Sequence, residues 1–152
     1  IAGVHAHAKR PEDTDWNEID RLYLLLERLQ PSPVVTLNRA VAVSKAKDAA
    51  TALAMIEPLA EQLSGYFHFF GLRGALLMQL GRAEEARDPL ERAAREMPFD
   101  STVLSHLGDL YERLGEPAAA VKAWTRALDA GAENAEEIRA KVERLSDRIP
   151  RP

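Results

Sequence analysis

The sequence predicts an all-α protein built from stacked helix-turn-helix repeats. One observation is a self-similarity at a shift of 34 residues, which places Gly74 over Gly108 and Gly81 over Gly115. Another is that apolar residues recur at spacings of three and four, while no segment alternates in the manner of a strand. An internal period of this length is typical of architectures in which each unit buries its apolar face only by stacking on a neighbour.

The period divides the chain of 152 residues into units of different regularity. The second and third units agree most closely, with Ala86 over Ala120 and Leu90 over Trp124, and the first unit is a weaker copy that lacks both glycines. We expect a single domain over residues 1–152. Its parts are N-terminal helices in 1–32, repeats at 33–66, 67–100 and 101–134, and a C-terminal capping helix at 135–149.

Capping residues and prolines indicate where the helices begin. Asp15, Asp48 and Asp100 stand where N-cap residues are preferred, and Pro33 and Pro117 stand at first helical positions. From these signals and the apolar pattern we predict eight helices. They span about 15–30, 33–46, 49–63, 67–80, 83–96, 101–114, 117–130 and 135–148.

The two glycines of the third unit have different predicted roles. A glycine inside a helix costs about 1 kcal/mol relative to alanine, so each glycine needs a reason. Gly108, with the small Ala120 and Ala127 opposite, is expected where two helices approach closely. Gly115 ends the first helix, where the turn requires a residue that adopts positive φ.

A set of small and large residues at fixed spacing carries a family resemblance. The signature consists of Gly74, Gly81, Ala86, Leu107, Gly108, Tyr111, Gly115, Ala120, Trp124 and Ala127. This pattern resembles the tetratricopeptide repeat (TPR) family, whose helix-turn-helix units are about 34 residues long. The resemblance implies a right-handed solenoid closed by a capping helix. Arg39 and Arg73 depart from the family, because each occupies a position that is normally apolar.

The TPR resemblance also implies a partner-binding surface. In that family the first helix of each pair lines a concave groove that holds a protein or peptide. The corresponding positions here are Val34, Leu37, Val41, Ser44, His68, Gly71, Ala75, Met78, Thr102, Ser105, Asp109 and Glu112. We expect a groove that is apolar at one end and acidic at the other, and that favours amphipathic helices with basic ends. It lacks the Lys and Asn residues with which TPR domains clamp a peptide carboxylate.

Residues 1 to about 95 carry a second resemblance, concentrated in the segments TDW, SPVVTLNRAVAV and LGRAEEAR. These segments resemble the C-terminal extension of bacterial extracytoplasmic-function (ECF) RNA polymerase sigma factors. The resemblance implies a regulatory, partner-binding domain of a transcription factor, with RNA polymerase or the sigma regions of the parent chain as partners. The chain begins without an initiator methionine, and we expect it to be part of a longer protein.

The alternative interpretation is a generic TPR scaffold, or an engineered chimeric repeat protein with no native partner. Residues beyond about 97 form a far more regular repeat than the sigma-factor extension has, which indicates a seam near residues 97–100. The seam is either a natural extra repeat or a junction made by engineering. A parent sequence with two sigma regions upstream of this chain would favour the sigma-factor interpretation over the generic or engineered scaffold.

Composition argues against several classes of function. The chain has no cysteine, so disulfides, thiolate metal sites and cysteine nucleophiles are excluded. The net charge is −4, and Lys and Arg outnumber Asp and Glu in no third of the chain, so we expect no direct binding of nucleic acid. No apolar run approaches the length of a membrane span. We expect a monomeric cytoplasmic protein that does not associate with membranes.

Residues capable of chemistry form no recognisable active site. His5 and His7 are two residues apart, which points them to different faces of a helix and disfavours a shared metal ion. The glycines at 71 and 74 follow no strand, so helix packing explains them better than a phosphate loop does. We therefore expect no catalytic residue, no metal and no cofactor.

Arg39 and Arg73 are open to two interpretations, since a buried guanidinium must be paired. One is a structural ion pair with a neighbouring helix, for which Asp20 and Glu57 are the candidates at Arg39. The other is an anchor for an acidic partner.

Overall fold

The computed structural model describes residues 13–150, and no residue in this range lies in a β-strand. The eight α-helices of the range are, in chain order, α1 (Trp16–Leu29), α2 (Pro33–Ala46), α3 (Ala49–Ile56), α4 (Phe67–Gln79), α5 (Ala83–Glu96), α6 (Ser101–Arg113), α7 (Pro117–Asp129) and α8 (Ala135–Ser146). None of these helices is long and apolar enough to cross a membrane. The predicted all-α fold is confirmed.

The predicted helix over 49–63 is wrong in its second half. α3 ends at Ile56, and a 3₁₀ turn follows at Glu57–Leu59. Pro58 explains the break, because proline has no N–H to donate and its ring crowds the carbonyl one turn earlier. The other helices begin and end within about two residues of the predicted positions.

The N-caps predicted at Asp15, Asp48 and Asp100 are confirmed. The carboxylates of Asp15, Asp48 and Asp100 each accept a hydrogen bond from the backbone N–H three residues later, at 3.0, 2.6 and 3.0 Å. Pro33 and Pro117 stand in the first turns of α2 and α7. Each cap satisfies one of the N–H groups that a helix end leaves unpaired, so these local contacts determine where the helices begin.

The chain forms two compact units, which divide between Leu72 and Arg73 inside α4. In the N-terminal unit, α1 packs against α2, and α2 packs against α3. The buried apolar residues of these helices are Ile19, Leu37, Ala40, Ala42, Val43, Ala52, Leu53 and Ile56.

Arg39 joins α2 to α1 through two carboxylates. Its Nε donates to Oδ1 of Asp20 at 2.7 Å, and its Nη1 donates to Oε2 of Glu27 at 3.0 Å. Thr36 also donates its hydroxyl to Oε1 of Glu27 at 2.6 Å. Burial acts to lower the pKa of Arg39, but the two carboxylates outweigh burial and raise the pKa above its usual value. The structural interpretation with Asp20 is confirmed, and Glu27 is a second partner that the sequence analysis did not find.

In the C-terminal unit, α5 packs against α6, α6 against α7, and α7 against α8. Trp124 is the largest buried side chain, with 0% of its surface exposed. A Cβ built on Gly108 would lie 2.7 Å from Cγ of Trp124, far inside van der Waals contact. Gly74 faces Leu90 in the same way, with Cδ2 of Leu90 2.7 Å from a Cβ built there. The close approach predicted at Gly108 is therefore confirmed, although the side chain that faces this glycine is the large Trp124 and not the small Ala120 or Ala127.

The turn glycines adopt the backbone conformation that their positions require. Gly81 and Gly115 have φ of 73° and 75°. Just beyond Gly115, the N–H of Glu116 donates to the carbonyl of Tyr111 at 2.8 Å. This is the hydrogen bond of a Schellman motif, which ends a helix on a residue with positive φ. The turn predicted at Gly115 is confirmed.

A polar cluster links α5, α6 and the start of α7. Arg87 pairs with Glu91 at 3.4 Å and with Glu116. Tyr111 donates its hydroxyl to Glu91 at 2.8 Å, and the guanidinium of Arg87 lies 5.8 Å from the centroid of the Tyr111 ring. Burial and the Glu91 carboxylate raise the pKa of Tyr111 to about 12, so its hydroxyl remains a donor at neutral pH.

Arg73 lies half-buried in α4. The hydrogen bonds from Arg82 and, to a smaller extent, the charge of Arg73 hold the pKa of Glu85 below its usual value. The charge of Arg73 therefore acts weakly on a carboxylate of its own unit.

We expect Gly108→Ala to destabilise the protein by about 1–3 kcal/mol, although alanine is the better helix former. The added methyl group overlaps the Trp124 ring, which has no free space into which to move. Urea melts followed by circular dichroism measure the change. Gly65→Ala is the control, because no atom lies within 4 Å of a Cβ built there. Equal stability of Gly108→Ala and the wild type would contradict the close contact.

We expect Arg39→Ala to destabilise the protein by about 2–4 kcal/mol, because it removes the nearest cation of two carboxylates of α1 and leaves Asp20 with only Lys47, whose Nζ lies 3.9 Å from Oδ2. The effect is smaller than for a fully buried pair, since the Arg39 side chain is 20% exposed. Arg28→Ala, at an exposed position of α1, is the control and should change stability by less than about 0.5 kcal/mol. Similar urea midpoints for both variants would show that the pair contributes little.

Candidate functional site

Three helices of the C-terminal unit border an open groove of about 590 Å³. α4 and α6 are each the first helix of a predicted repeat, and α8 is the predicted capping helix. The groove is lined by Ala75, Met78, Gln79, His106, Asp109, Glu112, Arg113 and Lys141.

The predicted groove residues of the C-terminal unit are only partly brought together. The structure places Ala75, Met78, Asp109 and Glu112 along the groove. Thr102 lies in a separate surface depression beside the turn at 131–134, and Ser105 is buried with 8% exposed. The lining residues that the sequence analysis missed are Gln79, His106, Arg113 and Lys141.

The predicted groove residues that precede Arg73 differ in how much surface they offer. Leu37 is a core residue with 2% of its surface exposed, so it is barely accessible to a partner. Val41 is 37% exposed, and His68 is exposed beside Tyr66, with ring centroids 5.3 Å apart. The half-buried members are Val34, Ser44 and Gly71.

The carboxylates of the groove are already paired by α8. Oδ1 of Asp109 accepts from Nε1 of Trp124 at 3.1 Å and from Nζ of Lys141 at 3.0 Å. Oε1 of Glu112 lies 2.7 Å from Nη2 of Arg144. The acidic end expected from the sequence is therefore neutralised within the molecule, because each acid faces a cation of the capping helix.

A signal for this pairing was present in the sequence. Asp109 and Glu112 are three residues apart on α6, and Lys141 and Arg144 are three apart on α8. Residues at this spacing lie on one face of a helix, so two helices packed side by side bring both pairs together at once. The spacing alone does not specify which helices are neighbours, and the pairing was missed for that reason.

Lys141 is the most enclosed charge of the groove. Its Nζ lies 3.2 Å from Oε1 of Glu137 and 5.7 Å from the centroid of the Trp124 ring. Burial acts to lower the pKa of Lys141, but Asp109 and Glu137 outweigh burial and raise it above the usual value. In return, Lys141 lowers the pKa of Glu137. These ion pairs therefore persist across the neutral pH range.

Arg113 fixes the width of the groove at the end of α4. Its Nη1 donates to the backbone carbonyl of Met78 at 2.8 Å. The carbonyls of the last turn of a helix lack partners within the helix, so a guanidinium is a favourable ligand there. The contact ties the end of α6 to the end of α4 and leaves the apolar side chains of Ala75 and Met78 on the floor between them.

The described residues form no recognisable centre for metal chemistry. Within residues 13–150, no group of three or more His, Asp or Glu side chains is placed to hold a metal ion. His5 and His7, which we did not expect to share a metal, lie outside this range. Gly74 is buried in α4 against Leu90, so helix packing explains this glycine, as predicted.

No protein-family model matches the sequence. A similar sequence is found in an uncharacterized protein of Rhizobium meliloti (strain 1021), which is 62% identical over 113 residues. The match covers 70% of this chain and 27% of the relative, so the chain spans about a quarter of the length of the curated relative that it matches.

Solved structures of similar fold are those of MamA, a TPR-like helical protein. MamA from residue 41 to its end, from Desulfovibrio magneticus RS-1, has a TM-score of 0.67 and 18% identity, and the match covers 90% of this chain and 88% of that one. A crystal structure of MamA has a TM-score of 0.66 and 15% identity over 88% of this chain and 78% of that one. The likeness confirms the TPR-like, all-α fold of this chain.

We expect Asp109 and Lys141 to be energetically coupled by about 0.5–1 kcal/mol, a modest value because both side chains are partly exposed. A double-mutant cycle of Asp109→Asn and Lys141→Met, measured by urea melts, gives the coupling. It should fall in concentrated salt, which screens charges. A parallel cycle with Lys122→Met, at an exposed position that does not line the groove, should give no coupling. Additivity in the first cycle would show that the groove acids are not held by α8.

Proposed function

We propose that this chain is a protein-interaction module that holds an amphipathic helical segment of a partner in the groove between α4, α6 and α8, without catalysing a reaction. The observation that carries the proposal is the groove itself, in which an apolar floor lies beside ion-paired side chains on a TPR-like fold. A helix laid in a groove is one of the recurrent ways in which proteins bind peptide segments. The volume of about 590 Å³ accommodates several side chains.

The apolar floor sets the first requirement on the partner. The half-buried Ala75 offers hydrocarbon surface, to which Met78 adds little because only 8% of its surface is exposed, while Gln79 and His106 offer polar groups beside it. A helix with apolar residues three and four apart covers such a floor with one face and leaves its polar face in water. A segment that is polar on all sides gains little there, because burial of apolar surface supplies most of the binding free energy.

The ion pairs set the second requirement. Asp109 and Glu112 are occupied by Lys141 and Arg144, so basic residues of a partner must exchange with the cations of α8. The binding free energy that the partner gains from its basic residues is then only the difference in free energy between two similar ion pairs. We therefore expect apolar contacts to determine affinity and the basic ends of the partner to determine orientation, with a modest affinity overall.

We further propose that the parent protein is an ECF-type sigma factor, in which this module binds RNA polymerase or the sigma regions of its own chain in the cytoplasm. The support is the resemblance of TDW, SPVVTLNRAVAV and LGRAEEAR to the C-terminal extension of that group. Within SPVVTLNRAVAV, Arg39 is engaged by Asp20 and Glu27, whereas Asn38 and Val41 are exposed. On this proposal, Asn38 and Val41 are the residues of the motif that meet a partner.

The second candidate function is that of a generic repeat scaffold, or of an engineered one in which two helical segments are joined near residues 97–100. The regularity of the third repeat favours it, since Gly108, Trp124 and the Gly115 turn follow the TPR signature more closely than the first repeat does. The sequence encoded upstream of Ile1 distinguishes the two proposals. Two sigma regions there support the first, and their absence supports the second.

Binding measurements with purified RNA polymerase subunits and sigma-region fragments test the leading proposal. We expect Gln79→Trp, which fills the groove from an exposed position, to weaken the captured partner by at least about tenfold. Thr125→Trp places the same bulk at an exposed position of α7 that does not line the groove, and should bind as the wild type does. Undiminished binding by Gln79→Trp would contradict the groove, and no binding of any subunit or fragment would contradict the sigma-factor assignment.

A further inference from the structure

A second cleft, of about 300 Å³, lies between α5 and α7 with α6 as its floor. No residue in the described part of the chain lines both this cleft and the groove described above. Leu107 and Tyr111 of α6 line this cleft, whereas Asp109 and Arg113 of the same helix line the groove. At 100° of rotation per residue these two pairs lie on opposite faces of α6, so the cleft is a separate surface.

Two guanidinium groups of the cleft have no carboxylate partner within residues 13–150. Among the described residues, Arg95 takes part in no ion pair, and the side chain of Arg126 reaches only the backbone carbonyl of Pro98, at 3.4 Å. Both arginines are exposed, and the acids beside them on the same helices, Glu96 and Asp129, pair with neither. The two cations are therefore available to an external acid.

Among the described residues, one carboxylate lines the cleft, that of Glu91, and its charge is already compensated. Glu91 accepts the hydroxyl of Tyr111 at 2.8 Å and lies 3.4 Å from Nη1 of Arg87. Arg87 in turn pairs with Glu116. Glu91 therefore offsets the charges of Arg95 and Arg126 only in part, and the cleft presents a net positive charge to solvent.

Apolar surface lies beside these cations. The ring of Tyr111 and the side chains of Leu107, Ala94 and Pro98 line the cleft. Phe99 follows Pro98 directly and is 85% exposed, the most exposed of the large apolar side chains in the described residues. Arginine and aromatic residues are enriched at the centres of protein interfaces, and here the exposed Phe99 comes directly after Pro98, a residue that lines the cleft.

We propose that this cleft binds an acidic segment of a partner protein, with carboxylates on Arg95 and Arg126 and an apolar side chain against Pro98 and Phe99. Guanidinium groups bind carboxylates through paired, charge-assisted hydrogen bonds, which favours an acidic peptide over a neutral one. The site goes beyond the groove function, because it lies on the other face of α6 and selects the opposite charge. One module would thereby contact two partner segments at once.

The probe is a library of fluorescein-labelled hexapeptides that carry three carboxylates and one large apolar residue, measured by fluorescence anisotropy on the whole chain. We expect acidic members to bind at least about tenfold more tightly than their Asn and Gln counterparts. The double variant Arg95→Gln/Arg126→Gln should lose at least about tenfold in affinity. Both positions are exposed, so urea melts should show the stability of the wild type.

The matched control is Lys122→Gln/Arg139→Gln, which removes the same charge from exposed positions that do not line the cleft. It should bind the peptides within about twofold of the wild type. Gln79→Trp should also leave peptide binding unchanged, which separates this site from the groove. The proposal is wrong if no acidic peptide binds below about 1 mM, or if both double variants lose affinity equally, since net charge would then explain the effect.

Discussion

The contact between the Trp124 ring and the backbone of Gly108 organises the C-terminal unit. The ring is fully buried, and it approaches α6 so closely that only glycine fits beneath it. The same ring donates its Nε1–H to Asp109 and lies under Nζ of Lys141. One side chain of α7 therefore sets the spacing to α6, orients a carboxylate of the groove, and positions a cation of α8. Packing and the electrostatics of the groove depend on the same contact.

The equivalent positions of the three repeats show that the glycine is present in two of them and replaced by alanine in the first. One period before Trp124 stands Leu90, which faces Gly74, and two periods before it stands Ile56. At the position equivalent to the glycines, the first repeat has Ala40, which is fully buried. Protein interiors are close-packed and volumes must match, so the methyl group of Ala40 requires a different arrangement of the surrounding side chains from the one around Gly74 and Gly108. The first repeat matches the TPR signature less closely because its helices pack with alanine at the position where the other two repeats have glycine.

The charged side chains of α2 and α6 also differ in the ion pairs that they form. Arg39 occupies a position that is apolar in the TPR pattern and is accommodated by Asp20 and Glu27 of α1, so its charge serves cohesion within the N-terminal unit. The groove acids of α6 pair with cations of α8, whereas Arg95 and Arg126, which line the cleft on the other side of α6, pair with no carboxylate among the residues that the structure describes. A side chain that is already in an ion pair contributes little to binding, because the existing pair must be broken before a partner can form a new one. An unpaired cation at the surface binds an acidic partner without this loss of free energy.

The sequence by itself determined the repeat period, the all-α fold, the N-caps and the glycine turns, because each depends on residues that are neighbours along the chain. It also contained the proline that ends α3, although the apolar pattern continued past it. Only the tertiary structure decided that Leu37 is buried, that Glu27 joins Asp20 on Arg39, and that α8 neutralises the groove. These outcomes depend on which helix faces meet and at what register. The periodicity of the sequence specifies the buried face of each helix separately. Which of the many surface acids and bases become ion-pair partners depends on how helices distant in sequence pack together.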